Sequence, residues 1–150
     1  MWKRNIVLIL STFVLVLFII VVGILELIFS GNRYAEIPKE NWDISLPKGY
    51  EQIYEKDSEP SFLGDGERYH IFRYKHAERV NHYIDWKDKK NILLEDEVSK
   101  VLSNLNLEEE YYPDFKQDYK YYFTNSDDSS KIYIIFVESE SKIYVVEDIR

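Results

Sequence analysis

The pattern of apolar and polar positions divides the chain in two. From Ile6 to Leu25, twenty consecutive residues carry no charge, and nearly all are Ile, Val, Leu or Phe. At ~1.5 Å rise per residue, a helix over this run is about 30 Å long, the thickness of a bilayer's hydrocarbon core. A helix also satisfies its own backbone hydrogen bonds, which lipid demands. The run predicts a transmembrane helix over residues 6–29, after a short N-terminal tail of residues 1–5. The rival is a cleaved signal peptide, whose apolar region runs about 7–15 residues and closes on a small-residue site. Here the run is longer and closes on Ile28-Phe29-Ser30-Gly31-Asn32, with two bulky residues where a peptidase needs small ones. An uncleaved signal anchor is the expectation. Lys3 and Arg4 precede the helix. Arg33 and Lys39 follow it, in the company of Glu26, Glu36 and Glu40. The positive-inside rule then puts the N-terminus in the cytoplasm and the rest of the chain outside, as a single-pass protein of the cell membrane. Glu26 is expected at the head-group layer, too shallow for a buried functional carboxylate.

Residues 30–48 hold Pro38 and Pro47 and no sustained period, so they read as a juxtamembrane linker. Trp42 in it belongs either to the membrane interface or to the domain that follows. From residue 49 to 150 the patterning is that of one extracytoplasmic domain. Tyr50–Lys56 and Glu67–Lys75 are extended runs rich in residues that suit a pleated surface. In the first, Tyr50, Gln52 and Tyr54 alternate with Glu51, Ile53 and Glu55; in the second, His70, Phe72 and Tyr74 share a side. The Pro- and Gly-containing DSEPSFLGDG between them predicts an antiparallel hairpin with a long loop. His82–Trp86 is a possible short strand. Val98, Val101, Leu102 and Leu105 repeat at helical spacing and predict a helix over 94–105, with Glu95, Asp96 and Glu97 in its first turn. Three strands follow, at Asp118–Thr124, Lys131–Glu138 and Lys142–Ile149. The middle one is apolar on both faces and is expected inside the sheet. The order ββαβββ predicts an α+β domain: an antiparallel sheet of about five strands with one helix packed on a face.

Composition narrows function mainly by exclusion. With no cysteine, disulfides, thiolate zinc sites, thiol redox chemistry, cysteine nucleophiles and a lipoprotein anchor are all ruled out. The Ile-, Lys-, Asn- and Tyr-rich usage resembles that of AT-rich bacterial genomes and carries no function. Net charge is −8; residues 1–33 hold three cations and one carboxylate, so the remainder carries −10. Such a domain repels phosphate backbones and anionic lipid surfaces, and favours a cationic protein surface or a partner read by shape. Lys87, Lys89 and Lys90 form the one basic cluster, too small for nucleic acid.

No nucleophile elbow, P-loop, dinucleotide fingerprint or zincin helix occurs, and no catalytic, cofactor-binding or metal-ligating residue is assigned. His70, His76 and His82 recur every six residues, which fits neither the strand nor the helix spacing of metal pairs. Asp57, Glu59, Asp65 and Glu67 do not match a calcium loop. Two places are candidates for interaction. One is the apolar loop tip, Phe62 and Leu63. The other is tyrosine density: Tyr111 and Tyr112 with Tyr119, Tyr121 and Tyr122 would make either an exposed aromatic face or the cladding of the sheet under the helix. The expected function is a membrane-anchored, non-catalytic interaction or accessory protein acting on another envelope protein. The alternatives are an immunity or inhibitor protein against a basic toxin or enzyme, and a ligand sensor that signals through a partner membrane protein.

Overall fold

The computed structural model describes residues 12–25, 42–59 and 65–150. Residues 12–25 are helical (α1), with apolar side chains exposed around the whole circumference, from Phe13 to Leu25. Among the described residues, no helix is long and apolar enough to cross a membrane. The rest of the expected span, the first part of the linker (30–41), and Phe62 and Leu63 lie outside the described residues.

The domain is α+β. Strands β1 (Tyr50–Asp57) and β2 (Gly66–Tyr74) come first, then α2 (Ile92–Asn104). Strands β3 (Lys120–Asn125), β4 (Lys131–Val137) and β5 (Lys142–Ile149) follow. All five strands join one sheet in the order β1-β2-β5-β4-β3, every neighbouring pair antiparallel. The last strand in sequence therefore occupies the centre. β4 is interior as its two apolar faces require, and Ile132 through Val137 are all buried.

Both faces of the sheet are covered. On one, Leu94, Val98, Val101, Leu102 and Leu105 of α2 pack on Tyr69, Ile71, Tyr133, Ile135, Tyr144 and Val146. Asn91 caps the helix, its side chain accepting from the Leu94 amide at 3.2 Å. Asn106 follows the last turn with φ 54, a left-handed position that Asn tolerates better than most residues. On the other face, Phe72, Tyr74, Ile132, Ile134, Phe136, Ile143 and Val145 are covered by Ile44, Leu46 and Val80, with Trp42, Ile84 and Trp86 at the margin.

Three expectations change. Residues 42–46, expected in the linker, are a strap across the second face; Ile44 and Leu46 are buried, and the Trp42 indole N–H donates to Glu147 Oε1 at 2.7 Å. The alternation in β1 reverses partway, because a bulge shifts the register between Gln52 and Tyr54. Tyr50 therefore packs on the strap face and Tyr54 on the α2 face. Finally, no strand forms at 82–86. Ala77–His82 is a 3₁₀ helix whose amides bond locally (Arg79 to His76 O, Tyr83 to Val80 O), and Val80, Ile84 and Trp86 plug the strap face instead. Only Lys87 pairs with a strand, bridging Tyr121.

Candidate interaction surface

The sheet has two ends. Asp57, Arg68, Glu147 and Ile132 stand in register across one of them. At the opposite end β1 starts, Arg73 and Val137 both lie beside Lys142, and Lys120 pairs with Phe136. A concavity lies at this second end. It is a groove of about 400 Å³ lined by Glu109, Glu110, Tyr112, Pro113, Asp114, Glu140, Lys142 and Tyr144.

Its floor and walls follow from local structure. After α2 the chain returns along the sheet and closes a short 3₁₀ turn, Glu109–Tyr111. The Tyr111 ring stacks on Tyr54 at 4.0 Å between centroids, and its carbonyl accepts from the buried Tyr69 hydroxyl. With the turn held from beneath, Glu108, Glu109 and Glu110 face solvent. Glu110 is the largest cause of the raised pKa of the Tyr111 phenol, since phenolate would sit beside carboxylate. Asp114 closes the next turn, accepting from the Lys116 amide and from Gln117 Nε2, each at 3.1 Å. These bonds, the Gln117 one first, hold its carboxyl below the usual range.

The opposite wall is the β4–β5 turn, where Ser141 takes φ 56. Glu140 there accepts from Lys142 Nζ at 2.5 Å, Tyr144 Oη at 2.8 Å and Gln117 Nε2 at 3.1 Å. Burial pushes the Tyr144 hydroxyl far above its ordinary pKa, so it acts only as a donor to Glu140. Lys142 is thus engaged with Glu140, while Glu109, Glu110 and Asp114 keep exposed negative charge. The groove carries a net negative charge, with Tyr112 and Tyr144 in its lining.

The tyrosines for which the sequence leaves open an exposed face or a cladding of the sheet are divided by the fold. Tyr111 and Tyr112 are half-buried, and Tyr112 lines the groove. Tyr119 and Tyr121 are buried at the start of α2. The Tyr119 hydroxyl donates to Glu95 Oε1 at 2.7 Å and accepts from the Asn91 amide at 2.9 Å. The Tyr121 hydroxyl accepts from Asn91 Nδ2 at 3.1 Å. Burial leads the causes that push the Tyr119 phenol up to about 12. Tyr122 lies on the strap face. These three clad the sheet, because β3 turns its alternate side chains toward α2 and toward the strap.

The lysine cluster is likewise dispersed. Lys87 bridges β3, and Lys90 Nζ donates to Phe115 O at 3.1 Å. Lys90 also lines a second groove of about 240 Å³ with Lys116, Lys120, Asp88, Asp118 and Glu138, in which opposite charges balance. Among the described residues, no group of three His, Asp or Glu side chains is placed to hold a metal ion. The three histidines separate: His70 is buried beside Phe72, while the exposed side chain of His76 lies 3.3 Å from Glu78.

A polar row on the strap face was not anticipated from sequence. Glu147 is fully buried where Trp42 donates to it, and His70 Nε2 lies 3.5 Å from Asp57 Oδ1. Burial first, and the Arg68 guanidinium second, lower the His70 pKa to about 3. The imidazole is therefore neutral, and its contact with Asp57 is a weak polar one rather than an ion pair. No protein-family model, curated protein or solved structure matches the chain.

Proposed function

We propose that this chain is a membrane-anchored protein that acts by binding another protein, and that its acidic groove takes a cationic surface of that partner. The groove carries the reading: three exposed carboxylates and the half-buried Tyr112 surround a single lysine that is already paired. The anchor rests on the uncharged run 6–25, of which the described part turns apolar side chains outward all round. In this reading Lys3 and Arg4 stay in the cytoplasm and the sheet domain lies outside. The same groove suits an immunity or inhibitor protein, since many proteins neutralised in this way are basic.

The test is in-cell crosslinking of the tagged full-length chain, with Glu109→Lys/Glu110→Lys as comparison. Both side chains are exposed, so the double variant should keep the wild-type unfolding midpoint to within about 0.5 kcal/mol. The expected result is one stoichiometric partner that is lost in the variant and weakened by salt. A partner retained unchanged by the variant would rule out the groove as its site.

A further inference from the structure

An amine, a primary amide and a carboxylate meet where the 3₁₀ helix of Ala77–His82 packs beside the β3–β4 pair. Lys120 Nζ donates to Asn81 Oδ1 at 2.7 Å and to Glu138 Oε2 at 3.2 Å. The other oxygen of that carboxylate, Glu138 Oε1, accepts from Asn81 Nδ2 at 3.3 Å. Glu138 thus touches both nitrogens, and the Asn81 carbonyl is turned toward the Lys120 amine. The fold holds all three residues in place. Lys120 stands opposite Phe136 in the β3–β4 register, and Glu138 opens the 3₁₀ turn of Glu138–Glu140 that follows β4. Asn81 follows the fully buried Val80, whose carbonyl accepts from the Trp86 indole at 3.1 Å. The Trp86 ring in turn lies 5.7 Å from that of Phe136. The Lys120 side chain is only 33% exposed, so most of its length is out of water.

We propose that Lys120 and Asn81 join in a spontaneous isopeptide cross-link, with Glu138 carrying the proton between them. Glu138 takes a proton from the Lys120 ammonium, and the freed lone pair on Nζ forms a bond to Asn81 Cγ. The carbonyl electrons move onto Oδ1. Glu138 then passes its proton to Nδ2. The Cγ–Nδ2 bond breaks as the carbonyl re-forms, and ammonia leaves. It takes the surplus proton from Nζ and departs as ammonium. The balance needs no oxidant, cofactor or second substrate. Contact between amine and amide makes the step intramolecular, which removes the cost of bringing the two together. A carboxylate that reaches both nitrogens is the geometry that proton transfer between them requires. The product closes the chain between residues 81 and 120 around α2, and fastens the edge strand β3 to the 3₁₀ helix. In a chain with no cysteine, it supplies the covalent tie that a disulfide would.

The test is the intact mass of the purified full-length chain, incubated to constant mass and then mapped by tryptic digestion. The expected mass is that of the sequence less one molecule of ammonia. Cleavage after Lys120 should be blocked, and one branched peptide should join residues 80–87 to residues 117–131. Lys120→Arg and Asn81→Ala should each keep the full mass. Glu138→Gln should cross-link severalfold more slowly or not at all. A wild-type chain that keeps its full mass overturns the proposal. So does an ammonia loss that survives in Lys120→Arg, because asparagine alone loses ammonia when it closes to a succinimide. A Glu138→Gln chain that cross-links as fast as the wild type overturns the role given to Glu138.

Discussion

Two buried polar side chains on the strap face set much of the domain's chemistry at the residue scale. His70 titrates at about 3 when folded and near its ordinary 6.5 when unfolded. Between those values the unfolded chain takes up a proton that the fold refuses. Stability therefore falls as the pH drops through 6.5, and this loss levels off near 3. His70→Leu removes the group. Between pH 7 and pH 4, urea titrations should show the wild type losing about 2–3 kcal/mol more than the variant. Equal losses would mean that the imidazole is solvated. Glu147 is held by the Trp42 indole, and Trp42→Phe keeps the ring but not the donor. A lowered urea midpoint, worth about 1–3 kcal/mol, is expected. Glu147 carries no mark in the sequence. His70 was placed correctly on the side of Phe72 and Tyr74, but nothing local announces which face of a strand a strap will cover. Ser141 offers the opposite sign. Its left-handed φ of 56 suits glycine, so Ser141→Gly should raise the thermal midpoint by an amount equivalent to about 0.5–1 kcal/mol.

Elements were legible in proportion to the length of their periodic signal. α2 and the three strands after it repeat their apolar positions over long stretches, and their observed bounds differ from the expected ones by two residues or fewer. The strap has the same kind of signal in Trp42, Ile44 and Leu46, a two-residue alternation, but over only three positions and between two prolines. The bulge in β1 is invisible because one inserted residue leaves composition unchanged while reversing every later side chain. The groove is not legible as such: Tyr112 stands out by composition, but the other wall comes from Glu140 and Lys142, which only the sheet brings near. α2 itself depends on its cap and its buried face. Asn91→Ala should cost about 1 kcal/mol, and Asn91→Asp, which keeps the acceptor, should cost less. Leu102 is fully buried under the helix, and Leu102→Ala should cost about 2–5 kcal/mol. Chemical denaturation of the three variants ranks them.

For the whole molecule, the foldable unit starts at Trp42 rather than at residue 49. A fragment of residues 42–150 should unfold in one cooperative transition. A fragment of residues 49–150 loses the buried Ile44 and Leu46, each worth about 1.5–3 kcal/mol, and the Trp42 bond besides. Against a typical total of about 5–15 kcal/mol, the shorter fragment should be marginal or unfolded by circular dichroism at 25 °C. The strand order has a further consequence, for the time course of folding. β2 has no second neighbour until β5 is present, and register partners such as His70 and Val145 stand about 75 residues apart in the chain. The first hairpin can form early, but it must wait with one edge unsatisfied until the final strand has been synthesised. That interval is when nascent chains are open to strand-to-strand aggregation, and it ends only when the last-made strand slides into the middle.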